Sequence, residues 1–174
     1  MTFENYIEDP KSDNSVRSGD NSDRSARLDI DTWAMKLAQM CAERSTCIRR
    51  KAGAIALDCY NIVVGVGYNG VPRDFPHCLV DPCSGAQDKS GDTSRCLAVH
   101  AEINAIINCT DSSRIVSVYL TASPCKSCAL AIVNLPALKR VFYLEDYPDK
   151  MGLHMLVRAS ICRQINVRKL TVNR

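Results

Sequence analysis

Two short motifs constrain this 174-residue chain more than anything else in it: His100-Ala101-Glu102, and Pro124-Cys125-Lys126-Ser127-Cys128 further on. Each falls where an extended segment gives way to a helical pattern. Cys125 and Cys128 stand at i and i+3, on one face of a first helical turn. His100 opens the preceding helix. Helix N-termini carry partial positive charge, which lowers thiolate pKa and favours metal ligation. An imidazole and two thiolates suit zinc and leave a fourth position for water. A fold that uses these residues together must bring two helix starts side by side.

Composition narrows the setting. The N-terminal stretch MTFENYIEDPK is polar and acidic, and no apolar run is long enough to span a bilayer, so a cytoplasmic protein is expected. The ten cysteines are then expected to be mostly reduced, which favours metal ligation, catalysis and core filling over disulfides. A formal net charge of +3 permits an anionic ligand without demanding a nucleic acid.

Residues 1–27 read as a mobile tail, because 9–27 are rich in Ser, Asp, Asn and Arg without apolar rhythm. One domain is expected over 28–174. Its first helix lies in DIDTWAMKLAQMCAERS, capped by Asp29 or Asp31, with Trp33, Leu37, Met40 and Cys41 as the apolar face. Residues 52–58 and 61–70 predict an antiparallel hairpin turning at Asp58 to Asn61. A long insertion rich in Gly, Pro, Ser and Asp follows over 69–95, and loops of that length are usually functional or metal-stapled. Then come a helix over 97–109, a strand over 117–122, a helix over 125–135, a strand over 140–146, a helix around 150–162 and a short strand near 165–169. This alternation implies a sheet with helices on its faces and parallel crossovers in its second half. No internal repeat is visible.

The chemistry follows from the residue types. Zinc lowers the pKa of a bound water to about 7. Attack on an amidine-like carbon also needs a group that takes the water's proton and delivers it to the ring nitrogen and the leaving amine. Glu102 can stand beside a metal held by His100, Cys125 and Cys128 without ligating it, and so serve as that group. H-x-E followed by P-C-x-x-C is the signature of zinc deaminases. Two plainer readings stand beside it: a buried His with core thiols, and a structural zinc with Glu102 as bystander. The second would need a fourth ligand. Cys109, the nearest in sequence, sits more than two turns from His100 and is poorly placed.

The segments RSTC (44–47), GYNGVP (67–72), HC (77–78), HAEINAI (100–106), SPCKSC (123–128) and EDY (145–147) together resemble the deoxycytidylate (dCMP) deaminase family, phage members included, over roughly residues 30–168. The resemblance implies a three-layer α/β/α cytidine-deaminase-like fold with a mixed five-stranded sheet. It implies hydrolysis of dCMP to dUMP and ammonia, which supplies dUMP for dTMP synthesis, in the host cytoplasm if the chain is phage-encoded. It further implies a homohexamer, activation by dCTP and inhibition by dTTP with Mg²⁺ on the triphosphate, and dCTP as a substrate of some phage-type relatives. Asn69, an ordinary turn residue by itself, becomes a partner for the deoxyribose or base, and Ala101 joins the substrate-binding set. Tyr147 either covers the sugar-phosphate or is a surface tyrosine. Arg44 and Arg49 either meet the phosphate, as a guanidinium suits, or are solvated helix-end charges. The resemblance supports a second, structural zinc held by Cys47, Cys78, Cys83 and Cys96, with His77 as an alternative ligand. Cys41, Cys59, Cys109 and Cys162 are left as core or surface thiols. Two other functions share these features. A nucleic-acid deaminase such as a tRNA adenosine deaminase would need a basic face, whereas the charges here are interspersed. A non-catalytic zinc-binding module would leave Glu102 without a role.

Overall fold

A computed structural model describes residues 27–87 and 94–171. The expected tail therefore lies outside the described residues but for Arg27, as does 88–93 of the insertion. The elements in chain order are α1 (Ile30–Glu43), β1 (Gly53–Leu57), β2 (Val63–Tyr68), α2 (Ala101–Ile107), a 3-10 turn (Ser112–Arg114), β3 (Ser117–Ala122), α3 (Lys126–Val133), β4 (Arg140–Glu145), α4 (Met151–Arg163) and β5 (Asn166–Lys169). They form one mixed five-stranded sheet in the order β2-β1-β3-β4-β5. The β2-β1 and β1-β3 pairs are antiparallel, and β3-β4 and β4-β5 are parallel. Helices α3 and α4 make the two parallel crossovers, as the alternation implied.

Period-two alternation builds three layers from this sheet. Ala54, Ala56, Val118, Leu120, Val141 and Tyr143 point to the face covered by α2, α3 and α4, where they meet Ala105, Ile132, Leu153 and Leu156. Ile55, Leu57, Tyr119 and Phe142 point to the other face, covered by α1 through Ala34, Met35 and Ala38. Tyr119 stacks on Phe142 with ring centroids 4.9 Å apart, and its hydroxyl donates to Asp31 Oδ1 at 2.7 Å. Asp31 is thus used in the core contact, and Asp29 is the cap, accepting from the Thr32 N–H at 2.9 Å. The hairpin turns at Asp58 and Asn61 as expected. Asp58 Oδ1 accepts from the Tyr60 and Ile62 amides, Oδ2 accepts from Arg114, and Asn61 adopts φ 61°.

The buried face of α1 differs from the one read in the sequence. Ala34, Met35, Ala38 and Ala42 are buried, Leu37 and Cys41 only half-buried, while Met40 is 70% exposed and Trp33 37%. The cause is close approach. A Cβ on Gly53 would lie 2.0 Å from Ala38 O and 2.6 Å from Ala42 N, so helix backbone rests on strand backbone. At the crossing itself only Ala38 and Ala42 fit, and Trp33 and Met40 rotate outward. On the opposite face, a Cβ on Gly67 in β2 would lie 2.0 Å from Ala101 O. Helix α2 also starts later than expected, at Ala101, because Val99 pairs with Gly70 in a bridge and His100 stays extended at φ −71°, ψ 153°. No helix among the described residues is long and apolar enough to cross a membrane.

Two substitutions test the orientation of α1. Gly53→Ala should destabilise the fold by at least about 2 kcal/mol through overpacking. Met40→Ala should cost less than about 0.5 kcal/mol, as befits a solvent-facing side chain. Urea unfolding of both variants beside the parent chain makes the comparison, and the reverse ranking would contradict the packing described.

Candidate active site

The ends of β3 and of the extended run before α2 place two helix N-termini against each other. His100 is the N-cap of α2 and Cys125 the N-cap of α3, and neither side chain caps its own helix. Their donor atoms turn instead toward a common point. His100 Nδ1 lies 3.5 Å from Cys125 Sγ and 3.4 Å from Cys128 Sγ. Tetrahedral zinc with ordinary Zn–N and Zn–S lengths sets N···S edges of about 3.6 Å. These three residues are the one group of three such donors among the described residues whose ligand atoms all lie within 4.8 Å of one another. Donor types and spacing therefore both fit zinc.

With His100 turned to the metal site, the N-terminus of α2 is capped from a distance. Asn69 Oδ1 accepts the Ala101 N–H at 2.8 Å, while Asn69 Nδ2 donates to Arg50 O at 3.2 Å. The Asn69 backbone is also engaged: its N–H donates to Ala52 O, and its carbonyl accepts from Ser45 Oγ and the Thr46 N–H. The cysteine loop is braced from the other side by α4. A Cβ on Gly152 would fall 1.9 Å from Pro124 O, so only glycine lets that helix lie so close.

The local field matches this arrangement. Hydrogen bonds from Cys128 and then His100 hold the Cys125 thiol down to about 3. Cys128, donating to Cys125 and buried, is pushed up. The hydrogen bond to Cys125 raises His100. Glu102 is buried, at 8% exposure, and burial pushes its carboxyl up. A carboxyl group that resists ionisation can both take and return a proton near neutral pH.

Glu102 opens onto a cavity of about 300 Å³ that His100 and Cys125 also line. Asn69, Ala101, Arg49 and Tyr147 line it as well, so most of the expected substrate set converges there. One correction applies. Arg44 is the exposed C-cap residue of α1 and is not among the residues lining the cavity. The Ala101 N–H is already donated to Asn69, so Ala101 brings its methyl and backbone to the wall with that donor occupied. One residue was missed. Arg50 lines the cavity with its guanidinium 4.9 Å from the centroid of the Tyr147 ring, a cation–π contact across the wall. Its signal in the sequence was the basic run Arg49-Arg50-Lys51 directly before an apolar strand, but the run does not say which member faces inward. Arg49 donates to Gly85 O at 3.2 Å and so reaches the insertion.

Of the four remaining candidate ligands, Cys47 and Cys96 line this cavity. Cys78 Sγ and Cys83 Sγ are 3.9 Å apart. The Leu97 amide lowers Cys83, with the Cys78 and Cys96 thiols adding to the effect, and burial raises Cys96. His77 is exposed and lines a separate depression with Thr46, Tyr68, Arg73 and Asn104. Cys109 is buried in the larger core, where its thiol meets Asp111 O.

Comparison with known proteins agrees with this geometry. The cytidine and deoxycytidylate deaminase zinc-binding region matches residues 28–145. The deoxycytidylate deaminase of Mycobacterium phage D29 is 34% identical over 128 residues, which cover 70% of this chain and 98% of that one. The deoxycytidylate deaminase of Saccharomyces cerevisiae is 32% identical over 137 residues, 75% of this chain but only 43% of the yeast protein. Among solved structures, the dCMP deaminase of cyanophage S-TIM5 in complex with dCMP and dUMP superposes with a TM-score of 0.65 at 26% identity, covering 83% of this chain and 98% of that one. The converging zinc ligands, the buried glutamate beside them and these matches agree: the chain belongs to the cytidine and deoxycytidylate deaminase family of zinc-dependent enzymes.

Proposed function

We propose that this chain hydrolyses dCMP to dUMP and ammonia and so supplies dUMP for dTMP synthesis. The observation that carries the reading is the meeting of His100, Cys125 and Cys128 at a cavity that His100, Cys125 and the buried Glu102 line. It is supported by the phage and yeast relatives of that name, and by the S-TIM5 complex with dCMP and dUMP.

His100, Cys125 and Cys128 would hold the zinc, which when bound polarises a water and makes it nucleophilic at neutral pH. Glu102 takes the proton of that water as its oxygen bonds to C4 of the cytosine. Glu102 passes that proton to N3, then takes the proton of the hydroxyl now on C4 and gives it to the departing amine, which leaves as ammonia while C4 becomes a carbonyl. Burial raises the Glu102 pKa, which favours the return of the proton. Asn69 keeps one Nδ2 hydrogen beyond its bond to Arg50 and offers it to the sugar. Arg49, Arg50 and Tyr147 form the wall suited to the 5′-phosphate, by charge and by ring contact.

The finer parts of the reading are a second zinc at Cys47, Cys78, Cys83 and Cys96, acceptance of dCTP, a homohexamer, and control by dCTP and dTTP with Mg²⁺. The 69–78 segment supports the last of these. It runs from Asn69 in the cavity wall, past the depression lined by Arg73 and His77, to Cys78. A triphosphate held there would change activity only through its differential affinity for two arrangements of that segment.

Ammonia release from free dCMP, compared with folded tRNA, tests the assignment. Release from tRNA alone would favour a nucleic-acid deaminase, and none from either in zinc-loaded protein would favour a binding module. Glu102→Gln should keep its zinc and fold while losing about 10²–10⁴ in kcat. A variant retaining a tenth of the activity would deny Glu102 its role. Metal analysis separates the two thiol sites. Cys125→Ala should lose the catalytic metal and activity together, whereas Cys83→Ala should lose one metal equivalent yet keep the catalytic one. One zinc per chain in the parent protein would remove the second site. A dCMP titration with Mg²⁺ should show lower activity with dTTP at limiting substrate, and activation or competition with dCTP. Identical curves would describe an unregulated enzyme.

A further inference from the structure

Tyr147 reaches the cavity on an exposed segment: Glu145, Asp146, Pro148, Asp149 and Lys150 are all exposed, and Pro148 and Asp149 line the cavity beside it. Its ionic contacts are surface ones. Asp146 pairs with Lys150 at 3.3 Å and with Lys169 at 3.1 Å, each partner close to half exposed, and such pairs fix geometry weakly. One contact is of another kind. The Tyr147 N–H donates to Ser123 Oγ at 2.8 Å, and Ser123 is only 3% exposed. The Ser123 N–H in turn donates to Glu145 O at 2.7 Å, so one buried residue grips the segment at two points. Ser123 stands two positions before Cys125, at the end of β3, and lines the same cavity.

We propose that Ser123 is a positioning residue: its hydroxyl fixes Tyr147 against the metal-ligand loop, and thereby sets the face that the Tyr147–Arg50 stack presents to the bound nucleotide. The two halves of this stack come from separate anchors. The Arg50 carbonyl accepts from Asn69 Nδ2 at 3.2 Å, on the α1 side of the cavity. Tyr147 depends on Ser123 on the other side. The bond also ties the wall that contacts the nucleotide to the loop that contacts the metal. Substrate position and metal position are then held in one frame. Ser123 touches no reacting atom in this account and acts through Tyr147. The identity of the nucleotide rests on the dCMP reading above; the tether does not.

The test uses zinc-loaded Ser123→Ala, Ser123→Thr, Tyr147→Ala and the Ser123→Ala/Tyr147→Ala double variant. Steady-state kinetics with dCMP, zinc content and hydrogen exchange of the Tyr147 amide are measured on each. Removing one buried hydrogen bond of this kind should raise KM about five- to tenfold in Ser123→Ala. It should leave kcat within about twofold, with zinc content unchanged. The Tyr147 amide should exchange at least about tenfold faster, because its acceptor is gone. Ser123→Thr, which keeps the hydroxyl, should restore KM. In the Tyr147→Ala background, Ser123→Ala should add nothing further to KM. A residue that served only stability would reduce the folded fraction without moving KM. An unchanged KM in Ser123→Ala overturns the proposal, and so does a fall in kcat accompanied by zinc loss. Lack of dCMP turnover in the parent chain overturns the substrate reading, whereas unchanged Tyr147 exchange in Ser123→Ala overturns the tether. The two failures are therefore read separately from the same samples.

Discussion

The structure depends on two helices meeting N-terminus to N-terminus with metal donors at their caps. An N-cap side chain ordinarily satisfies the orphan amides of its own first turn. His100 and Cys125 occupy those positions and turn away from them. The amides left behind need other partners, and the partial positive charge of both helix ends now faces the thiolates. Asn69 answers the first need by taking the Ala101 N–H from across the sheet. That bond explains why a turn residue after β2 is buried, and why its backbone and side chain bind residues 45, 46, 50, 52 and 101 at once. Asn69 is a structural joint of the site, whatever it also offers to a ligand.

Close backbone approach is the second constraint. Helix α2 can aim His100 and Glu102 only because Gly67 lets it rest directly on β2, and α4 braces the cysteine loop only because Gly152 lacks a Cβ. On the far face, Gly53 brings α1 close to β1. Since Gly53 opens the strand that follows Arg50, the α1–β1 contact also helps to set the level at which Arg50 enters the cavity. Packing and site geometry are thus determined by the same few small residues.

The cavity joins elements that lie far apart in the chain. Arg49 and Arg50 precede β1, Asn69 follows β2, Glu102 begins α2, Ser123 ends β3 and Tyr147 follows β4. Cys47, ahead of β1, and Cys96, just past the insertion, line the same wall, and Arg49 in that wall reaches the insertion through Gly85 O. The insertion is therefore in direct contact with a residue of the cavity wall.

Much of this was determined by the sequence alone. Local patterns gave the hairpin at Asp58–Asn61, the parallel second half, and β3 residue for residue, because period and turn chemistry act over a few neighbours. His100, Glu102, Cys125 and Cys128 were legible because metal chemistry demands particular donors at particular spacings, and those spacings are themselves local. Tertiary structure decided the rest. The buried face of α1 was misread because side-chain bulk argues for Trp33 and Met40, while the contact with Gly53 admits only small residues. That distance is not written in the helix. Arg44, Arg49 and Arg50 could not be ranked, since each is a cation between α1 and β1, and only the path of the chain into β1 brings Arg49 and Arg50 to the cavity and leaves the α1 C-cap Arg44 exposed. Ala101 could not be seen to have spent its amide, and Ser123 could not be seen to hold Tyr147, because each bond joins residues more than twenty positions apart. Such pairings leave no periodicity in the sequence; they exist only once the sheet has placed their strands.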